Sequence, residues 1–471
     1  MNCTSITLRL TILACLVRIA TPTDAAEMLE APLVPPAVHP IQTPQGGPIP
    51  LPAVSAPDPW EHVAPLGDTM PGSPPKKEPP KVRLLTLADI RSIAQQNNPT
   101  LIQARMVVRA AQGQQIQAGL CPNPEVGYEG ADVGLEGTSG QQGSVIGQEF
   151  VTAGKLKIAA NAAGHGVTAA RHALEAQRWR VMNSVRAGFY EVLIAQKMVS
   201  INEDLVRIGN EAETITARLR AAQEVSKAEV LQASIEAERA RVSHFMATNR
   251  HRIAWYQLAA MMGIPEMPPA PLEGDVIQDL PVTTWDDGLL RLLSGSPELA
   301  EAHAKVKQAR CEVALQVAER HGNVSVGAGV KYDATAEQAL ADVGVAIPIK
   351  IFDRNQGNIV SAQAEFIAAT REVQRVELDL FTRFAEAFEA YSNANRQVEM
   401  FRSKVLDNAR ESLELVGAGY REGEFDYLSL LTAQRTFFSA NLEYLDSLQE
   451  LWARAVELDG LMLTGGLEAV E

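Results

Sequence analysis

The chain has 471 residues, a formal net charge of −15 at pH 7, 46% hydrophobic residues and 5% aromatic residues. A nucleic-acid surface needs clustered lysine and arginine, and the sequence holds no Lys/Arg-rich block, so a nucleic-acid partner is excluded. The hydrophobic content is ample for a folded core, and much of it is alanine and valine, as expected where helices pack closely.

Residues 1–25 have the features of a secretory signal peptide. Arg9 supplies a positive charge before an apolar stretch from Leu10 to Ala20, and small residues follow. Arg18 interrupts this stretch, so a disordered N-terminus stays open as an alternative. After residue 25 no apolar run reaches 18 residues, which excludes a membrane-spanning α-helix. If the chain enters a membrane, it must do so as a β-barrel.

The segment at 26–83 is dominated by proline. Residues 27–82 hold 16 of the 27 prolines of the chain and few large apolar side chains. Such a composition cannot offset the entropy lost on folding, and proline favours extended polyproline II. The sequence therefore predicts a Pro-rich disordered or semi-rigid tether over 26–83.

From residue 84 onward the chain contains two copies of one unit. Pro99 of the first copy matches Pro297 of the second, an offset of 198 residues. The segment that starts at Val185 matches the one that starts at Phe384, and the segment at 224–233 matches 424–433. The offset drifts by only two residues over this span, which indicates an internal duplication.

Each copy is predicted to contain a helix, a β-hairpin and a long helical hairpin. Repeat 1 covers 84–264, with a helix at 86–119, a β-hairpin at 122–151 and a helical tip near 222–226. A Pro-rich linker at 265–282 separates the copies. Repeat 2 covers 283–471, with a helix at 284–319, a β-hairpin at 322–352 and a tip near 422–426.

The hairpin of repeat 2 has one apolar and one polar face. Valine, alanine and tyrosine alternate with polar residues or glycine over 324–333, and a second alternating run covers 342–351. Ser325, Lys331 and Asp333 fall on the polar face, so they are candidate residues of a wet lumen. The counterparts in repeat 1 alternate less regularly.

Very long helices follow each hairpin. Apolar residues from Val373 to Val405 recur at spacings of three and four, which is typical of a coiled-coil seam. A helix from Lys155 to Ala222 would be on the order of 100 Å long. The predicted fold class is mainly α with a small β part, built from duplicated coiled-coil hairpins.

Four amphipathic strands per chain predict an oligomer. A four-stranded sheet with an apolar outer face has open edges and cannot close around water by itself. Three chains would supply 12 strands, an even number within the range of outer-membrane barrels. The alternative is a periplasmic coiled-coil scaffold protein, in which the strands form an ordinary hairpin cap.

Two features together make the chain resemble the TolC-like outer-membrane efflux family, over about 84–463. The first is the duplication. The second is the segment from Ile347 to Gly357, IPIKIFDRNQG, which is similar to the turn motif of the heavy-metal CzcC-like branch. Its counterpart at 152–155, TAGK, resembles the first-copy turn of that branch.

The resemblance implies a homotrimer with a 12-stranded transmembrane β-barrel and a periplasmic α-barrel. It also implies outer-membrane lipid around the barrel, a periplasmic adaptor (membrane fusion) protein at the helical tips, and an inner-membrane RND-type pump behind it. The adaptor-docking positions that match are Gln223, Glu224, Val225, Ser226, Gly423, Glu424, Phe425 and Asp426. Gln223 stands where the family has glycine, which leaves the turn geometry of the first tip open.

Some family members narrow the tip with a ring of acids. The aligned positions here are Glu229 in repeat 1, and Ser429 and Thr432 in repeat 2, of which only Glu229 is charged. An acidic aperture at Glu229, or at Glu424 and Asp426, would favour cations. A solvated helix face also explains these residues, and we favour that interpretation.

The sequence contains no catalytic, cofactor or metal motif. It lacks the metal, redox, phosphate-binding and nucleophile-elbow signatures that would indicate an enzyme. The predicted function is a passive exit duct in the outer membrane with a periplasmic extension, which releases metal cations or drugs delivered by a partner pump. A type I secretion channel is the alternative within the same family.

Overall fold

A computed structural model of the chain describes residues 84–134, 137, 139–277, 280–422 and 424–468. The predicted signal peptide and the predicted tether lie outside these residues. The described residues belong to one unit, Val82–Glu471, which is mainly helical with one small sheet, as the sequence predicts. Within them, none of the helices combines the length and the apolar character that crossing a membrane requires.

The two copies contain the same elements in the same order. In repeat 1 these are α1 Leu87–Asn97, α2 Pro99–Ala118, β1 Glu125–Ala131, β2 Gln141–Phe150, α3 Lys155–Ala221 and α4 Lys227–Met261. In repeat 2 these are α5 Trp285–Gly295, α6 Pro297–Ala318, β3 Val324–Asp333, β4 Gln338–Ala346, α7 Gln356–Met400, α8 Leu406–Glu422 and α9 Tyr427–Asp459.

The single helices predicted at 86–119 and 284–319 are each broken in two. The break falls at Asn98 in repeat 1 and at Ser296 in repeat 2, where the backbone is extended and the side chain caps the next helix. Pro99 and Pro297 occupy the first position of that helix, where proline costs nothing because its missing N–H has no partner there. The residue before a proline avoids helical geometry, so each helix stops at this point.

The four strands form one antiparallel sheet in the order β1-β2-β3-β4. β2 of repeat 1 pairs with β3 of repeat 2 from Gln141 opposite Asp333 to Phe150 opposite Val324. The two hairpins therefore lie side by side, and β1 and β4 are the edges. The strand predicted over 342–351 ends instead at Ala346, because Pro348 has no N–H to donate to a ladder.

A π-helical turn at Phe401–Val405 separates α7 from α8. The offset between the repeats is 199 residues before this turn and 200 after it. α3 runs through the equivalent region of repeat 1 as an uninterrupted α-helix of 67 residues. Because a π turn accommodates one extra residue inside an α-helix, the turn accounts for the change of offset.

The core lies where α3 packs against α2, α4, α6 and α9. Its largest fully buried side chains include Trp255, Trp452, Phe189 and Phe384. The predicted seam of α7 contributes to it, with Leu380 fully buried. The C-terminal segment at 460–466 returns to α3 of repeat 1, where the Asn183 amide donates to the carbonyls of Gly460 and Leu463.

The linker between the repeats is held by three aromatic side chains. The indole of Trp255 donates to the Met267 carbonyl at 2.9 Å, and the indole of Trp452 donates to the Val276 carbonyl at 2.8 Å. The Tyr391 hydroxyl donates to the carbonyl of Pro281 at 3.2 Å. Both repeats therefore contribute to the position of the linker.

Candidate functional site

The sheet presents large apolar side chains on one face. Antiparallel register places Val126 of β1 opposite Ile146 of β2, and Val326 of β3 opposite Val345 of β4. On this face eight large apolar side chains are more than half exposed: Val126, Tyr128, Ile146, Phe150, Val330, Tyr332, Val343 and Val345. So large an exposed apolar surface indicates contact with a membrane or with another protein.

All the charged residues of the four strands lie on the opposite face. They are Glu125, Glu129, Glu149, Lys331, Asp333 and Asp342. The register shows it: Glu129 pairs with Gly143, which pairs with Lys331, and Asp342 pairs with Gly329 in the neighbouring row. Ser325 belongs to the same face, opposite Glu149 and Ala346.

Six glycines also lie on this polar face, namely Gly127, Gly143, Gly147, Gly327, Gly329 and Gly344. At Gly143 a Cβ would come within 2.1 Å of the Val330 carbonyl oxygen and 2.7 Å of the Lys331 Cγ, so the absent side chain makes room for the backbone of β3 and for the lysine. Glycine on one face lets a sheet curve towards that face, where side chains would otherwise crowd.

Lys331 bridges the two edges of the sheet. Its Nζ lies 3.2 Å from Oε2 of Glu129 on β1 and 2.8 Å from Oδ2 of Asp342 on β4. Only 11% of its side chain is exposed. Asp333 has a local role: Oδ1 accepts from the amides of Thr335 and Ala336 in the β3–β4 turn.

The first helical tip turns on Gln223, which has a left-handed backbone with φ of 63°. Ser226 then caps α4: its Oγ accepts from the Glu229 amide at 3.2 Å, and Oε1 of Glu229 accepts from the Ser226 amide at 3.1 Å. The carboxylate of Glu229, a predicted aperture residue, is therefore part of a capping box. Gln223, Glu224 and Ser226 are exposed, and Val225 is half-buried.

The second tip has its carboxylate at the N-cap and its serine three residues later, the reverse of the first tip. Asp426 is the N-cap of α9, and its Oδ1 accepts from the amide and the hydroxyl of Ser429 at 2.9 and 2.5 Å. These two donors hold the pKa of Asp426 below its usual value. Thr432 donates to the Leu428 carbonyl within its own helix. Glu424 and Phe425 are exposed, and Gly423 lies outside the described residues.

The two hairpins touch just above their tips. Tyr427 and Leu431 of α9 pack against Ala233 of α4. Nε of Arg435 lies 3.3 Å from Oε2 of Glu236, so a charged pair joins the same two helices. Burial raises the pKa of the Tyr427 hydroxyl. The tips of one chain are thus joined to each other.

The described residues hold no group of three or more His, Cys, Asp or Glu side chains that could bind a metal ion. The arrangement that stands out is the two-faced sheet with exposed tips at the far ends of long helices. The sequence predicts Ser325, Lys331 and Asp333 on the polar face, and the register places all three there. It also puts Asp342 on the polar side of the second alternating run without selecting it as a site residue, and it misses Glu129. The alternation of Glu125, Gly127 and Glu129 with Val126 and Tyr128 was the available signal.

Comparison with known proteins gives three findings. The Outer membrane efflux protein family matches residues 90–264 and 289–462. The cobalt-zinc-cadmium resistance protein CzcC of Cupriavidus metallidurans is 28% identical over 378 residues, which cover 80% of this chain and 90% of that protein. Two solved structures have the same fold. CusC has a TM-score of 0.67 and 19% identity, and the match covers 80% of this chain and 92% of that one. The outer membrane protein VceC of Vibrio cholerae has a TM-score of 0.65 and 18% identity, and the match covers 81% of this chain and 97% of that one.

Proposed function

The chain belongs to the outer membrane efflux protein family, and from that premise we propose that three copies form the exit duct of a tripartite efflux system. Among the proteins it resembles, CusC forms a transmembrane channel and VceC is an outer membrane protein. The observation that carries the proposal is the sheet: all the charged strand residues lie on one face, and large exposed apolar side chains lie on the other.

The two faces suit a wall between lipid and water. The apolar face needs an apolar solvent, and the charged face needs water, so the sheet fits the wall of a water-filled barrel. β1 and β4 are edges within the chain and need partner strands inside a membrane. Three chains supply 12 strands, and the six glycines on the polar face favour curvature towards the lumen.

The helical part suits a conduit that extends into the periplasm. α3 has 67 residues and would span about 100 Å if straight. Helices of this length side by side would form an α-barrel beneath the strands. In this arrangement the tips lie farthest from the membrane, where they would dock on a periplasmic adaptor protein and, through it, on an inner-membrane RND-type pump.

The docking surface is proposed to be the two tips, Gln223 to Ser226 and Gly423 to Asp426. Glu424 and Phe425 offer exposed charge and an exposed ring there. In a full-length protein with Glu424→Lys and Phe425→Ala, we expect loss of adaptor cross-linking and of efflux, while the protein remains in the outer membrane. Glu411→Lys, an exposed charge reversal three turns before the tip, is the matched control. Intact cross-linking and efflux in the tip variant would show that the docking site is wrongly placed.

The substrates are proposed to be divalent metal cations, by similarity to a cobalt-zinc-cadmium resistance protein. A strain that lacks this chain should become sensitive to zinc, cobalt or cadmium, and the full-length chain should restore growth. Sensitivity to drugs alone would contradict the metal substrate but not the duct. Recovery of the protein in the soluble periplasm would contradict the duct itself.

A further inference from the structure

Resting on the proposed duct, we infer that the strand region makes it prefer cations to anions, and that Lys331 is the residue that limits this preference. The inference concerns the charge of the lumen wall along the sheet. It requires no bound ion, because fixed charges on a low-dielectric wall raise the local concentration of mobile counter-ions.

The polar face of each chain carries five carboxylates and one ammonium group, a net charge of −4. Every one of these groups shares the face that would line the lumen. The apolar face has no charged residue in the strands. The imbalance therefore acts on the water side of the wall and is not offset from the lipid side.

Lys331 is the only basic residue in the four strands. Its side chain lies flat over Gly143 and holds its Nζ between Glu129 of β1 and Asp342 of β4. From this position one positive charge is shared between two carboxylates, one at each edge of the sheet, and offsets half of their combined charge. Among the described residues, Glu125, Glu149 and Asp333 form no ion pair with a basic group.

The three unpaired carboxylates lie on rows above and below the lysine. Glu149 accepts from the Asn323 amide at 2.7 Å, and Asp333 accepts from backbone amides in the turn. These neutral donors stabilise the charges without cancelling them. Removal of the Lys331 charge would leave a net charge of −5 per chain and free Glu129 and Asp342 as well.

The helical tips are the competing location for charge selectivity. There the Glu229 carboxylate accepts from Ser226, and the Asp426 carboxylate accepts from Ser429. Both carboxylates are oriented towards their own helix ends. The inference therefore places the larger effect at the strands and the smaller one at the tips.

The test is the reversal potential of the full-length protein in planar bilayers under a KCl gradient. Wild-type should prefer K⁺ to Cl⁻. We expect Lys331→Met to raise the permeability ratio by about 1.5-fold near 0.1 M salt and to have little effect near 1 M, because the Debye length falls from about 10 Å to about 3 Å. Glu149→Gln should lower the ratio. Tyr332→Phe, next to Lys331 but on the apolar face, is the matched control and should change nothing.

Lys331→Arg keeps the charge and should retain the wild-type ratio, which separates a charge effect from a packing effect. A conducting Lys331→Met protein with an unchanged reversal potential would overturn the inference. A shift produced only by Glu229→Gln or Asp426→Asn would do the same and move selectivity to the tips. Absence of any conductance, in wild-type as in the variants, would instead count against the proposed duct.

Discussion

Gln223 occupies a turn that suits glycine better. Its φ of 63° lies in the left-handed region, where a side chain costs energy and glycine does not. We expect Gln223→Gly to stabilise the first tip by about 0.5–1 kcal/mol, because it removes this strain. The measurement is amide hydrogen exchange in the first turn of α4, which reports local opening of the tip.

A control for this change stands one residue earlier. Ala222 has a φ of −78°, an ordinary helical value, so Ala222→Gly should destabilise the end of α3. If both glycine variants slow exchange at the tip, relief of backbone strain at 223 is not the cause. Gln223→Gly also bears on function, since Gln223 belongs to the proposed docking surface.

Lys155 ties the start of α3 to the segment between α6 and β3. Its buried Nζ donates to the His321 carbonyl at 2.7 Å and to Oδ1 of Asn323 at 2.8 Å, and it lies 3.0 Å from Oε2 of Glu319. Lys155→Met keeps the bulk but removes the donor from three part-buried acceptors. We expect a loss of about 2–3 kcal/mol in the free energy of unfolding, measured by urea denaturation in detergent.

Lys157, two residues further on, is exposed and provides the comparison for Lys155. Lys157→Met should leave the free energy of unfolding within about 0.5 kcal/mol of wild-type, because an exposed substitution removes no buried bond. Equal losses in the two variants would mean that the contacts of Lys155 contribute nothing specific.

Residue roles at the tips show where sequence reasoning reached its limit. The sequence placed Glu229 near the tip and proposed an aperture. The spacing of Ser226 and Glu229 is also that of a capping box, and in the structure the Glu229 carboxylate accepts from the Ser226 amide and hydroxyl. Spacing alone could not decide between these uses, because a capping carboxylate also lies within the first turn after the tip, where an acidic ring would place its own.

Elements of the fold were predicted best where periodicity was strong. The long helix from Lys155, the helix that carries the seam from Val373 and the strand at 324–333 follow their patterns closely. The alternation beyond Ala346 predicted a strand that is too long, because Pro348 inside the run prevents pairing whatever its neighbours are. In the sequence, the only sign of the π turn at Phe401–Val405 is a one-residue change in the offset between the two repeats.

The C-terminal segment after α9 closes the core. Leu461, Met462 and Leu463 are almost fully buried, and the Gly466 carbonyl accepts from Thr100 and Gln177 of repeat 1. Truncation after Asp459 removes these side chains, at about 2 kcal/mol each, and orphans buried amides. Such a loss approaches the whole stability of a typical domain, so we expect no folded protein in membrane fractions.

Truncation after Glu468 keeps every contact of that segment that the structure describes. This shorter deletion should give wild-type amounts of folded protein, measured on the same membrane fractions. Normal accumulation of both truncated proteins would mean that the segment is dispensable for the core.

At the scale of the whole molecule, one chain explains the sheet but not its closure. The order β1-β2-β3-β4 leaves two edges, and eight large apolar side chains on one face are more than half exposed. A sequence reports the faces of strands through alternation, whereas the number of chains depends on how the edges meet. The trimer therefore remains a proposal that the edges can test.

The edges predict which cysteine pairs should join neighbouring chains. If β1 of one chain pairs with β4 of the next, Tyr128 on β1 must meet a residue of the same face on β4, such as Ala341 or Val343. Within one chain these strands are separated by about 14 Å, three strand spacings, which is too far for a disulfide.

In Tyr128→Cys proteins that also carry a cysteine at 339, 341, 343 or 345, oxidation should therefore yield covalent dimers and trimers on denaturing gels. Tyr128→Cys with Asp342→Cys places the thiols on opposite faces and should stay monomeric, as should wild-type and each parent with one introduced cysteine, all of which retain the native cysteines. Dimers from a parent with one introduced cysteine, absent from wild-type, would indicate that like edges pair. A lack of cross-links in every same-face pair would remove the case for a closed ring.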